Sequence, residues 1–273
     1  SVAVIVAEAA KVTIYDGDTP DLDMWMVFNS GGGDVFMRSG NTTSTTMLNS
    51  QLVWGDSYYD LYSVTFIDER YWMKSNNGTW NNGYSGTIAS RNTTGSVYAF
   101  DSLGLVSRSV NDVAMTVLPN APIDSTTGLP IPTIAVATSG GVSVIKDDGT
   151  VVDSIRTSHI ATIDFLGSDL LYSSSVAATN RFTRVSTIYN ADGFVSSREY
   201  GEDTTVTADL NIRTNGILGL TKIPNGFAAI GSPSVSEGLS IVNENVTTPA
   251  DGMVGIITST YNSGYMTGDI KGA

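Results

Sequence analysis

The sequence predicts an all-β protein built from repeated antiparallel units, on three observations. Short segments with apolar residues at every second position recur throughout the 273 residues, the period of a β-strand with a buried face. Asp, Asn and Gly close these segments, where tight turns need positive φ or an Asx hydrogen bond. The segments also come in sets, most of them about 45 residues apart, which is the length of four short strands and their turns.

The clearest copy is IAVATSGGVSVIKDDGTVV, from Ile134 to Val152. Apolar residues alternate through Ile134, Val136, Val142 and Val144, with turns at Ser139-Gly140-Gly141 and Asp147-Asp148-Gly149. Aligning that central strand and its turn gives five third strands: KVTIYDGD from Lys11, SVYAFDSLG from Ser96, GVSVIKDDG from Gly141, RVSTIYNADG from Arg184 and GLSIVNEN from Gly238. Each is preceded by a second strand: VAVIVAEA, RYWMKSN, TIAVATS, DLLYSSS and FAAIGSP. First strands precede four of these: YSVTFID, NDVAMTVLP, HIATIDFLG and GILGLTKIP. Pro224-Asn225-Gly226, between the last first and second strands, is a strong hairpin signal. Weaker fourth strands follow: MWMVF, LVSRSV, TVVDSI and FVSSREY.

The unit at Val2 lacks a first strand, and MVGIITSTY, from Met253 to Tyr261, has the look of one without a second. Joining them predicts a β-propeller of about five four-stranded blades, a single domain over residues 1–273, with its ring closed by pairing of the N- and C-terminal strands. Closure of that kind removes two sheet edges. The interval from Lys11 to Ser96 is nearly twice the others. It holds residues 29–61, a polar stretch read as a long projecting insertion, with a degenerate sixth blade as the alternative. Both chain ends read as cuts in a longer polypeptide.

Composition narrows the function. The net charge of -13 repels nucleic acid and anionic lipid, so neither is an expected partner. No cysteine is present, which excludes disulfides and cysteine-based metal sites. A single histidine, His159, precludes a two-histidine metal site within one chain, and it reads as a polar residue at a strand edge. No run reaches the roughly 18 apolar residues of a membrane-spanning helix.

Three groups of residues could carry chemistry. Asp16 and Asp18, in YDGDTPDLD, have the D-x-D spacing of part of a calcium loop but lack its distant Glu; the competing reading is an Asx turn. Calcium is the one cofactor candidate, and otherwise none is expected. The aromatics Trp54, Tyr58, Tyr59, Trp80 and Tyr84 lie in two polar stretches rich in Asn, Asp and Gly. Exposed rings there would stack on a sugar while amides and carboxylates bond its hydroxyls; alternatively they pack the loops onto the blades. Trp25, in the regular MWMVF, reads as core. Asp112, Asp164 and Asp169 lie in or beside inner strands, but no spacing singles out the carboxylate pair that glycoside hydrolysis requires. No enzyme is expected.

The segments KVTIYDGDTPDLDMWMVF, IAVATSGGVSVIKDDGTVVDSI and YNSGYMTGDIKGA resemble a propeller-like region in virion structural proteins of tailed bacteriophages, particularly marine ones. In those proteins a lectin-like jelly roll of the concanavalin type typically follows. The resemblance rests on general sequence character and transfers no active-site residue. It implies a tail fibre, spike or other appendage component located in the virion, with a role in host-surface attachment. It further implies other virion proteins and bacterial surface glycans as partners, and a homo-oligomeric assembly. The alternatives are a carbohydrate-binding propeller outside a virion and, third, a five-bladed glycoside hydrolase.

Overall fold

The computed structural model describes residues 2–29, 37, 40–76, 82–84, 86–92, 97–99, 102–155, 159–176, 179–185, 198–201, 219–223, 226–230, 239–243, 245, 252–257 and 271–272. These residues form an all-β structure in two compact units, Ser1–Ile155 and Arg156–Ala273. Every pairing between neighbouring strands is antiparallel.

The first unit contains three sheets. Strands β1 (Ala3–Glu8), β2 (Lys11–Asp16) and β3 (Met24–Asn29) form one. The second has six strands in sequence order: β4 (Thr42–Leu48), β5 (Gln51–Asp56), β6 (Asp60–Thr65), β7 (Arg70–Lys74), β8 (Asn82–Tyr84) and β9 (Val97–Ala99). The third comprises β10 (Val110–Thr116), β11 (Thr133–Thr138), β12 (Gly141–Ile145) and β13 (Val151–Ile155).

Alternation explains how the six-stranded sheet is held. One face presents Leu52, Trp54, Tyr62 and Val64 to Val12, Ile14 and Phe28 of the first sheet. The other face presents Val53, Leu61 and Trp72 to Val110, Ile134 and Val136 of the third. Both faces of β5 and β6 are therefore covered, and every residue of β11 and β12 is likewise buried. Burial of both faces calls for small and β-branched residues where a half-exposed strand would carry polar ones. The alternation in Ile134–Ile145 is one of residue size as much as polarity, and Ala135 and Ala137 are as buried as Val136.

The second unit contains β14 (His159–Leu166), β15 (Asp169–Val176), β16 (Thr179–Val185) and β17 (Arg198–Gly201) in one sheet. Its other sheet holds β18 (Gly219–Ile223), β19 (Gly226–Ile230), β20 (Leu239–Asn243), β21 (Met253–Ile257) and β22 (Lys271–Gly272). Ile223 pairs with Gly226, and Pro224 and Asn225 lie outside the described residues. His159 opens β14 and is exposed.

Several strand assignments differ from the sequence reading. The stretch 29–61 is not one projecting insertion, because it contains β4, β5 and the start of β6. TTSTTML is polar, but its threonines are β-branched and suit a pleated strand, and Thr45, Thr46 and Met47 pair with Trp54, Val53 and Leu52. The segment at Tyr62 is consequently a third strand and RYWMK a fourth. SVYAF supplies only β9, the sixth strand of the same sheet, and Leu105 forms an isolated bridge with Asn76 where a fourth strand was expected. The strand assigned from Arg184 starts earlier, at Thr179, and residues 186–193 lie outside the described residues. MVGII pairs with β20 on one edge and β22 on the other, as the fourth strand of its own sheet. It is not the strand that completes the sheet containing β1.

Candidate binding site

The β5–β6 hairpin carries Asp56-Ser57-Tyr58-Tyr59-Asp60. Register places Thr42, Asp56 and Asp60 side by side on three adjacent strands. Asp56 is fully buried. Its Oδ1 accepts the backbone N–H of Tyr58 at 2.7 Å and of Tyr59 at 2.9 Å, an Asx-type turn. Among the described residues its Oδ2 accepts no hydrogen bond, and it faces Gly40, where a Cβ would lie 2.0 Å from that oxygen. Burial pushes the Asp56 carboxyl above its usual range, against the two N–H groups and the Arg108 charge, which pull it down.

Asp60 is also fully buried, and the Arg108 Nε lies 3.9 Å from its Oδ1. The Arg108 guanidinium in turn sits 5.4 Å from the Tyr59 ring centroid, within cation–π range. Tyr58 and Tyr59 are 65% and 36% exposed, with ring centroids 6.3 Å apart and planes at 48°. Together with Gly40 and Asn41 they line an open recess of about 360 Å³. The Ser57 N–H donates to the Asn41 carbonyl at 3.0 Å and ties the hairpin to the chain entering β4.

Asp60 has φ of 134°, a region essentially reserved for glycine, where a side chain costs about 1–3 kcal/mol. The corresponding position on the third sheet is Gly141, with φ of 141°. The equivalence is detailed: Val110, Thr138 and Gly141 form the matching row, and the Ser139 N–H donates to Ser109 O as Ser57 does to Asn41.

Of the aromatics expected to contact a ligand, Tyr58 and Tyr59 are at the surface. Trp54 is not: it is fully buried, stacked on Tyr62 at 5.5 Å and tilted against Phe28 at 5.4 Å. The alternation of β5 turns it into the core. Trp80 lies outside the described residues, as does the Tyr84 side chain, although the backbone of Tyr84 belongs to β8. Trp25, expected in the core, is 60% exposed. It sits on the edge strand β3, whose alternation sends Phe28 inward.

Asp16 and Asp18 occupy the β2–β3 turn. Asp16 Oδ1 accepts the Asp18 N–H at 2.9 Å, and Asp18 Oδ1 accepts the Val2 N–H at 3.2 Å. Those carboxylates act as turn acceptors, and among the described residues no cluster of three acidic or histidine side chains could hold a metal. Asp112 accepts from Ser44, Asp164 from the Phe165 N–H, and Asp169 pairs with Arg184.

Sequence reasoning missed a second concavity of the first unit. A cleft of about 320 Å³ has Arg70, Trp72 and Lys74 of β7 on one side and the Lys146–Gly149 turn on the other. The segment 117–132 edges it. Alternate residues of RYWMK, which reads as a strand, put Arg70 and Lys74 on one face, but nothing local in the sequence sets the Lys146–Gly149 turn opposite them.

Neither a protein-family model nor a curated protein matches the sequence. Solved structures do. The chain is similar to a chain of the COPII outer coat vertex on membranes, at 8% identity and a TM-score of 0.52, covering 94% of this chain and 57% of that one. A second match is to the COPII coat assembled on membranes, also at 8% identity and 0.52, covering 94% and 32%. A third is to Hsv2p of Kluyveromyces lactis, at 13% identity and 0.44, covering 89% and 65%. This chain thus spans two thirds or less of the length of those it matches. The COPII neighbours are propeller-type chains, and the likeness extends to fold alone.

Proposed function

We propose that the chain is a non-enzymatic propeller-type module of a tailed-phage virion appendage, such as a tail fibre or spike, and that it attaches to bacterial surface glycans at the Tyr58–Tyr59 edge. The observation that carries the site is Asp60. A buried carboxylate held in a glycine conformation is retained against its strain when it serves a purpose. Its carboxylate lies 3.9 Å from the Arg108 Nε, and the Arg108 guanidinium lies over the Tyr59 ring, linking the strained residue to one of the two exposed rings. Two exposed aromatic rings beside Asn41 offer a stacking surface and a polar rim, the chemistry of sugar binding.

Hydrolysis is not part of the proposal. Asp56 and Asp60 are both fully buried, whereas a glycosidase needs two carboxylates flanking an accessible bond. The virion assignment, with other virion proteins and further copies of this chain as partners, rests on the sequence resemblance. Gold-labelled antibody to the Tyr58–Tyr59 hairpin, applied to purified particles, tests it. Labelling of the tail appendages is expected, along with slower adsorption of the labelled particles to host cells. A chain found only free of particles would leave the alternative, a lectin-like propeller outside a virion.

A further inference from the structure

We infer that the cleft between β7 and the β12–β13 turn is a separate subsite for one neutral sugar ring. The inference takes its ligand class from the glycan reading above but concerns different residues. Segment 117–132 is longer than an ordinary connection, yet it is tied down along its length. Asn49 Nδ2 donates to Pro130 O at 2.7 Å, Ile131 N–H to Pro122 O at 2.9 Å, and Arg70 reaches Asp124 at 2.9 Å. Asp124 Oδ1 also accepts the N–H groups of Thr126 and Thr127. A concavity edged this way is formed before a ligand arrives, which lowers the ordering cost of binding. Its volume of about 320 Å³ is at the small end of ligand sites.

The polar groups determine which ligand fits. Most of the charged groups are already paired: Arg70 with Asp124 and, just outside the cleft, Asp68, and Lys146 with Asp148 at 3.4 Å, while Lys74, which donates to Leu103 O, and Asp147 add one charge of each sign. The carboxyls of Asp124 and Asp148 are held below their usual range, the first mainly by the Thr126 N–H and the Arg70 guanidinium, the second mainly by the Thr150 hydroxyl and N–H. Each pair therefore shows a donor beside an acceptor with little net charge. A sugar hydroxyl donates and accepts at once and can bridge such a pair without breaking it. An anion would have to displace Asp124 or Asp148 from its cation and would also meet Asp147. A cation would have to displace Arg70 or Lys146 to reach a paired carboxylate and would otherwise meet Asp147 alone, beside Lys146 and Lys74. Leu129, Pro130 and Ile131 supply apolar surface for the C–H face of the ring.

Saturation-transfer NMR on the full chain, with glucose, galactose, mannose, N-acetylglucosamine and glucuronate as separate probes, tests the site. At least one neutral sugar is expected to receive saturation. Its binding should weaken about tenfold or more in Lys146→Ala and in Arg70→Gln, equivalent to about 1.4 kcal/mol, and should survive Tyr58→Ala. Lys146→Ala keeps the test valid if Arg70→Gln releases the 117–132 segment. Transfer to no neutral sugar at about 100 mM, well above millimolar dissociation constants, would overturn the inference. So would transfer to glucuronate alone. Loss in Tyr58→Ala with both cleft variants unaffected would remove this subsite and leave the attachment reading intact.

Discussion

The β5–β6 and β11–β12 hairpins hold the same place in successive sheets of one unit but solve it differently. The second is neutral and relaxed: Thr138 satisfies the turn through the Gly140 N–H at 3.2 Å, and glycine takes the φ of 141°. In the first, aspartates stand at both positions, fully buried, and one adopts the glycine conformation. The β11–β12 hairpin reaches a similar φ with two loop residues in place of three and with neither charge nor strain, so a strained aspartate is not the only way to close this position. What the first hairpin gains is Arg108 set against Tyr59 and two tyrosines turned outward. A repeat that departs from its own cheaper solution marks the place where something other than folding decides the residues.

The largest expected effect tests the support beneath the strained hairpin. Trp54 lies two residues before Asp56 and packs between Phe28 and Tyr62. Trp54→Ala should cost about 3–5 kcal/mol in denaturant unfolding; a loss below about 1 kcal/mol would mean the ring is peripheral. Next is transplantation of the strain. Gly141→Asp places a side chain at φ of 141° and a carboxylate in a buried row, and a loss of at least about 1–3 kcal/mol is expected from the backbone alone. A neutral outcome would show that the two positions are not equivalent.

The reverse exchange should have the opposite sign. Asp60→Gly relieves about 1–3 kcal/mol of strain and forfeits about 0.5–1 kcal/mol to the freedom of glycine in the unfolded chain. The net expectation is a gain of about 1 kcal/mol, read as a higher melting temperature.

A smaller, pH-dependent effect separates charge from strain. The folded-state pKa of Asp56 is raised by burial, so the native state binds its proton more tightly than the unfolded state does. Stability contributed by this group is therefore lost as pH rises through the folded pKa and recovered as pH falls toward the unfolded one. Asp56→Asn should be more stable than the parent at neutral pH, and that advantage should shrink on acidification through the same range. An advantage independent of pH would show that charge is not the cause.

The sequence was legible where strands alternate under turn signals. Strands β10 to β15 and the hairpins around Gly141 and Gly226 follow from period and turn residues, because both signals are local. Two features hid β4 and β5. The hydroxyl-rich β4 has strand geometry without hydrophobic contrast, and strands buried on both faces lose the polar half of the alternation. The tryptophans show the same limit: Trp25 in a regular strand is exposed, and Trp54 in a polar stretch is buried. Which face of a strand is covered depends on the neighbouring sheet, and local pattern carries no information about that neighbour. Tyr58 and Tyr59 were recognisable from their polar surroundings. The strain at Asp60 was not, since a φ value is imposed by the hairpin's position in the sheet.

We propose that the Asp56–Asp60 hairpin is kept strained to present Tyr58 and Tyr59. It is tested most directly by measuring parent and Asp60→Gly proteins in parallel for melting temperature and for binding to an array of bacterial surface glycans. The account predicts that Asp60→Gly melts higher and binds more weakly, because Arg108 and Tyr59 lose the group that holds them. Higher stability with undiminished glycan binding would contradict it.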